Sequence, residues 1–441
     1  MSSGWKEQLV IAKRKMRSER DRARTVKMEV PVNFSFKRHD LYDFRTVLNF
    51  FNWELENVPV RIDLRKCSSA NYQALALLVL YIMRLKGRGC RVTVETGNDR
   101  TNAAKMWRQM GALGLFNVLR DETETFNGNA FKPLFAIRNS DDFKAALAKA
   151  NEYCDGFNIS YVDTLRHILS ELLYNTIEHG VSHVTVDKMT RRLPSVTQFT
   201  WYETRREMHF IIADCGIGIK AHLEQTYPNF DSHEEAILKA IQPGISGTFG
   251  ITDPYKEKNN QGVGLFISSN IIHRLRADMH ILSGDGLLHV SATDVTTKQI
   301  DANWPGTIVL VTLRVEPSVA FELDSIMSEL REKAQSEIDR KSNAEKAGEF
   351  YVSINNHFGP RAEDKQTAVR FRDRSLMPAI DQGKSIVFDF ADVRAAPHSF
   401  LGALLATPIK TLGISAYKRL RFKNCSMGIR ETIDIILQDN T

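Results

Sequence analysis

Apolar and polar positions change period several times along the chain, and each change marks an element. In "PVRIDLRKCSSANYQALALLVLYIMRLKGRGCRVTVET" the alternation at Val60–Leu64 predicts a strand. The apolar run Gln73–Leu85 predicts a helix, stopped by Gly87 and Gly89, and Arg91–Glu95 predicts the next strand. "NAAKMWRQMGALGLF" predicts another amphipathic helix, ending near Gly111 to Gly114. The largest block runs from residue 125 to 315. It contains a helix through "SELLYNTIEHG" (170–180), strands around Thr197–Glu203 and Met208–Ala213, and a Gly-rich stretch. A helix over Gly264–Leu275 and a closing strand over Gly306–Val315 complete it. "SVAFELDSIMSELREKAQSEIDRKSNAEKAGEF" predicts a charged connecting helix with Phe321, Ile326, Met327 and Leu330 as its apolar positions. Residues 350 to 441 return to strand, turn, helix and strand in "SIVFDFADVRAAPHSFLGALLATPIKTLG" and "RLRFKNC". The first and last blocks therefore read as one α/β architecture used twice around a different central domain.

Composition narrows this picture only a little. The 441 residues are 43% hydrophobic and 25% charged, with a net charge of +6, which is ordinary for a globular protein of two to four domains. No apolar run approaches the ~18–20 residues of a bilayer span, and the start of the chain lacks a signal-peptide layout. The cysteines Cys67, Cys90, Cys154, Cys215 and Cys425 form no CxxC pair and have no histidines at zinc spacing. The expectation is a cytoplasmic, reduced protein with no membrane association. Residues 1–28 are basic through Lys13, Arg14, Lys15, Arg17, Arg20, Arg22 and Arg24. They read first as a solvated helical segment and second as a contact for nucleic acid or an acidic partner.

Candidate chemistry sits in the central block. On the 170–180 helix Glu171, Asn175 and Glu178 fall at one- and two-turn spacings, while Ile168, Leu172, Leu173 and Ile177 make a separate apolar face. A polar face alone is explained by solvation. The apolar strand in "FIIADCGIGI" runs straight into Asp214, then Gly216 and Gly218. That order delivers a carboxylate into a turn with no Cβ obstruction, where a planar ligand can approach the backbone. In "NNQGVGLFISSNIIHRL", Gly262 and Gly264 sit at a helix N-terminus and leave N–H groups open to phosphate oxygens. "WPGTIVLVTL" places Gly306 and Thr307 at the opening of the last strand.

Taken in this order, the motifs resemble the GHKL ATPase superfamily, which includes gyrase, histidine-kinase, chaperone, mismatch-repair and anti-sigma-factor-kinase members. "ELLYNTIEHG" is most similar to the histidine-kinase and anti-sigma type of its first motif. The resemblance implies a two-layer α/β sandwich of the Bergerat type over residues 123–316, with ATP and Mg²⁺ as cofactors. It implies that Asn175 supplies an oxygen to Mg²⁺ and that Glu171 orients or deprotonates the attacking water or hydroxyl. Asp214 would accept from the adenine amine, with Gly216 and Gly218 admitting the base and Thr307 adding a hydroxyl. Gly262, Gly264 and Leu265 would line the nucleotide site, the glycines at the phosphates. Lys220 to Gln261, with Gly244, Gly247 and Gly250, would be a mobile lid.

Neighbouring residues have plainer readings. His167 lies inside the nucleotide helix and is a poor phosphoacceptor candidate; His179 reads as a helix-end group beside Gly180. Cys215 reads as a small packing residue, and Lys256 and Lys258 as solvated.

On "RIDLRKCSSANYQALALLVL" the first block resembles a STAS domain, the fold of anti-sigma-factor antagonists. Where that family carries a phosphorylatable Asp-Ser pair, this chain has Asn71-Tyr72, with Ser68 and Ser69 earlier in the loop. The last block, on "FDFADVRAAPHSFLGALL", is similar to STAS-like domains found beside such ATPases, with Ser399 at the loop-to-helix junction read as an N-cap. The expected layout is a basic segment (1–28), a STAS-like domain (29–122), the ATP-binding domain (123–316), a connector (317–348) and a second STAS-like domain (349–441). The expected function is a nucleotide-dependent regulatory switch, hydrolysing ATP slowly or phosphorylating a protein serine. A protein partner would engage the STAS-like domains. Alternatives are a clamp that homodimerises on ATP and contacts nucleic acid, and a non-catalytic ATP-binding module.

Overall fold

The computed structural model describes residues 24–38, 41–97, 102–112, 118–119, 134–153, 159–178, 180–186, 188–227, 230–245, 264–314 and 323–441. Gly262, Lys256, Lys258 and His179 lie outside them, as do the glycines 247 and 250 and the side chain of Glu178. By internal contacts the described chain forms two compact units. The first runs to Tyr153 and includes Thr176–Thr200 and Phe210–Gly216. The second holds the helical residues up to Asn175, Trp201–His209 and Ile217–Thr441.

In the first unit a parallel three-stranded sheet has the order β1 (Val26–Glu29), β2 (Pro59–Asp63), β3 (Arg91–Glu95). Helix α1 (Tyr72–Gly87) follows the middle strand. Its N-cap is Asn71, whose side chain accepts from Ala74 N–H at 2.9 Å, satisfying one of the open donors at a helix start. Almost every residue of α1 is buried, as expected of a helix apolar all round. Helices α2 (Asn102–Gln109) and α3 (Ser140–Tyr153) lie on either side of strand β4 (Leu134–Ile137) in the chain. β4 pairs antiparallel with β5 (Ser195–Tyr202). A hairpin, Ser182–Val186 with Met189–Leu193, intervenes.

Helix α4 (Ile159–Glu178) carries the first motif. A five-stranded sheet has the order β7 (Asp278–Val290), β8 (Val295–Arg314), β6 (Glu207–Ala213), β5, β4. The sequence predicts only the end of β8; both long strands of this hairpin exceed expectation because Gly284 and Gly286 interrupt the alternation at a bulge between Ser283 and Gly286. Thr307 accordingly lies inside β8 rather than at its opening.

The segment read as a mobile lid is partly helical. α5 (Gly218–Leu223) and α6 (His233–Ala240) occupy its described part. Leu223, Ala236, Ala240 and Ile245 form a buried cluster against which Ile219, Tyr227, Phe230 and Leu265 pack. That cluster gives the described part of the segment an apolar core without a long apolar run. Helix α7 (Gly264–Arg274) follows, then α8 (Leu323–Lys346) as a long charged helix.

The C-terminal sheet is again parallel and three-stranded, with the order β9 (Glu349–Ser353), β10 (Ser385–Asp389), β11 (Leu420–Lys423). Around it lie α9 (Ile354–Phe358), α10 (Lys365–Phe371), a π-helical turn (Arg372–Leu376), α11 (His398–Leu412) and α12 (Met427–Asn440). The fold is mixed α/β, with parallel and antiparallel sheets. His398–Arg419, with a mean hydropathy of 1.3, is by length and composition long and apolar enough to cross a membrane, against the expectation that no apolar run approaches a span. Here its Phe400, Leu401, Leu404, Leu405 and Ile409 are in the core of the C-terminal sheet and helices.

Candidate nucleotide site

Glu171 and Gly264 meet. α4 presents Glu171 half-buried, and α7 begins at Gly264. A β-carbon at Gly264 would overlap Glu171 Oε2, so only glycine lets the carboxylate approach the start of this helix. The first N–H groups of a helix have no intrahelical acceptor, and the dipole there favours negative charge. Asn175 lies one turn beyond Glu171 on the same helix, also half-buried.

A second group forms around Asp214, which is 3% exposed. β6 ends at Ala213, and Asp214 Oδ1 accepts from Gly216 N–H at 2.8 Å, fixing the carboxylate in the turn. A β-carbon at Gly180 would lie 2.8 Å from Asp214 Cγ, and one at Gly216 would lie 2.8 Å from Gly180 Cα. The two glycines thus let the end of α4 pack backbone to backbone on the Asp214 turn. Cys215 between them is buried, which pushes its thiol up to about 12, so it is an inert packing group.

A third group surrounds Gly218, whose φ of +77° disfavours any other residue. Its missing side chain would lie 2.8 Å from Ser283 Oγ. Ile219 N–H donates to Ser283 Oγ at 2.9 Å, and Ser283 Oγ donates to Gly306 O at 2.8 Å. Ser283 pairs in register with Thr307. Sequence reasoning missed Ser283; the signal was "SGDG", two glycines inside a strand pattern, which marks a bulge.

Leu265 packs against the Leu223–Ala236–Ala240–Ile245 cluster. The structure therefore joins Glu171 with Gly264, Asp214 with Gly216, and Gly218 with the Gly306–Thr307 strand. Gly262 lies outside the described residues. Burial, and then the charge of Arg331, keep the His167 pKa below its ordinary value. Ser399 is not the N-cap of α11. Pro397 occupies that position in extended conformation, so Ser399 falls in the first helical turn and is exposed. It borders a groove of about 330 Å³ with Lys365, His398 and Asp439.

The two parallel sheets end alike. The middle strand β2 ends at Asp63, whose Oδ1 accepts from Arg65 N–H at 3.0 Å, and bonding to the Arg65 side chain holds its pKa at about 2. The middle strand β10 ends at Asp389, whose Oδ1 accepts from Ala391 N–H at 2.9 Å. Asp389 also accepts from Asn424 Nδ2 at 2.7 Å and from Tyr351 Oη at 2.8 Å.

Residues 367–429 match the family described as STAS-like domain of unknown function (DUF4325). The C-terminal part of the chain is thus a STAS-like domain. No curated protein and no solved structure matches the chain.

Proposed function

We propose that the central block binds Mg·ATP in the manner of GHKL ATPases and that the protein is a nucleotide-dependent switch read out by STAS-like domains. The observation that carries this reading is the contact of Glu171 with Gly264. Two motifs distant in sequence meet, a carboxylate against a glycine helix start, and this closeness supports the reading. The donor set suits the cofactor: Asn175 offers a neutral amide oxygen of the kind Mg²⁺ accepts, and a glycine start leaves room for phosphate at the α7 N–H groups. Bound Mg·ATP would supply a transferable γ-phosphoryl group. Glu171 would orient or take the proton of the attacking hydroxyl, Asp214 would select adenine by accepting from its amine, and Asn175 would hold the metal.

The N-terminal block is read as a second STAS-like domain. The shared strand order and the matching Asp63 and Asp389 turns support this. A protein bearing a complementary surface is the partner we assign to these domains. The test is titration of a fluorescent ATP analogue with and without Mg²⁺. The native chain should bind in a Mg²⁺-dependent way and Asn175→Ala should lose that dependence. No binding by the folded native chain would remove the nucleotide reading.

A further inference from the structure

Helix α6 is held at its start, at its end and along its length. At its start, Arg374 Nη1, from the π-helical turn of the STAS-like domain, donates to Ser232 Oγ at 2.6 Å and to Glu234 Oε1 at 3.2 Å. Ser232 is the N-cap of α6, accepting from Glu235 N–H at 3.3 Å. The guanidinium therefore bonds the group that sets where the helix begins. Glu234 is 4% exposed and its Oε2 has no hydrogen-bond partner, so losing Arg374 leaves this buried carboxylate only the more distant Arg370 guanidinium, at 3.9 Å. Beyond the helix end, Gln242 Nε2 donates to Asn356 O at 2.9 Å. A β-carbon at Gly244 would lie 2.9 Å from Ile338 of the connector α8.

Along its length, Ala236 and Ala240 belong to the cluster on which Ile219 and Leu265 pack. These two residues directly follow Gly218 and Gly264, so the cluster to which α6 contributes also receives the neighbours of both glycine motifs. The STAS-like domain makes a second attachment on β8, the strand of Gly306 and Thr307. Arg370 Nη2 donates to Thr297 O, and Thr297 N–H donates to Thr367 Oγ1 at 3.2 Å. The π-helical geometry at Arg372–Leu376 is itself uncommon and recurs at functional positions.

We infer that α6 couples the C-terminal STAS-like domain to the nucleotide site, with Arg374 and Glu234 as the positioning pair that sets ATP affinity. The inference rests on the nucleotide reading above. The docked STAS-like domain holds α6, and with it the cluster of Leu223, Ala236, Ala240 and Ile245 on which Ile219 and Leu265 pack. Releasing it leaves the two glycine turns to be ordered by ATP itself, at a cost to affinity. By linkage, ATP tightens docking by the same factor.

The test uses the full chain carrying Arg374→Gln, Glu234→Gln or both, with folding checked by circular dichroism. Mg·ATP affinity is measured by calorimetry, and hydrogen exchange over 365–380 is compared with and without Mg·ATP. Each single variant should bind about five- to fiftyfold more weakly. The double variant should bind no more weakly than the worse single, because the two residues act as one pair. In the native chain Mg·ATP should raise protection at 365–380. Folded variants that bind as tightly as the native chain would overturn the coupling and leave the nucleotide reading intact. If the variants do not fold, unchanged protection at 365–380 in the ATP-bound native chain would overturn it. A folded native chain that fails to bind Mg·ATP would overturn the nucleotide reading and the coupling with it.

Discussion

Asp214 and Gly264 test the site one side chain at a time. Asp214→Asn keeps an oxygen that can accept from Gly216 N–H, so the turn survives. Its amide can turn a donor toward the adenine amine, where an acceptor is needed. A hydrogen bond to a charged group contributes about 1.5–3 kcal/mol, so calorimetry should show ATP binding weakened by about ten- to a hundredfold. Undiminished affinity in the folded variant would remove Asp214 from the adenine site. Gly264→Ala places a methyl where Glu171 Oε2 now sits. The carboxylate lies at the end of a flexible side chain and can move, so the melting temperature should change little while phosphoryl transfer falls at least tenfold. Unchanged turnover would show that the position of Glu171 does not matter to the chemistry. Both positions were legible in the sequence, Asp214 at the end of an apolar strand and Gly264 at the entrance to a helix. Ser283 was not, because its role comes from a bulge that brings it to Ile219 N–H and Gly306 O.

At the scale of elements, strands with clean alternation or continuous apolar runs, such as β2 and β6, could be read directly. The β7–β8 hairpin could not, because Gly284 and Gly286 break the period. Helix α6 carried a readable start signal, Ser232 followed three residues later by Glu235, but lay in a stretch dominated by its glycines. Which elements meet was beyond the sequence, as with α6 and the π-helical turn.

The C-terminal elements also predict a pH response. The His357 Nδ1–H donates to Ser353 O at 2.9 Å, and the ring packs on Phe371. Burial, joined by the charges of Lys239 and Lys341, pushes its pKa from 6.5 down to about 4. Burial does the same to His273, against the pull of the Ser291 carbonyl. Both rings are favoured neutral in the folded state, so their contribution is fully present above pH 6.5 and is lost as pH falls towards 4. His357→Gln should flatten this loss by roughly 2 kcal/mol. Chemical denaturation of both proteins at pH 7.5 and 4.5 measures it, and equal losses in the two would exclude His357 as a contributor.

At the scale of the whole molecule, the STAS-like identity of residues 367–429 gives the switch proposal its output side, and the three motif groups give it its input. The repeated theme of the first and last blocks was visible as strand–turn–helix–strand patterning, and both blocks fold into parallel sheets of the same strand order. Parallel neighbours need a crossover helix, which is why periodicity alone revealed the pattern. The motif order led to the proposal of one nucleotide site, and the approach of Glu171 to Gly264 needed the fold. The central claim is that this chain binds ATP and that Glu171 acts on its γ-phosphoryl group. The most direct measurement incubates the purified protein, native and Glu171→Ala, with Mg²⁺ and γ-labelled ATP and follows the label. The account predicts label moving slowly to inorganic phosphate or to a protein serine in the native chain, and bound but untransferred nucleotide in Glu171→Ala. Label that stays on unbound ATP with the native protein, or transfer that continues undiminished without Glu171, would contradict it.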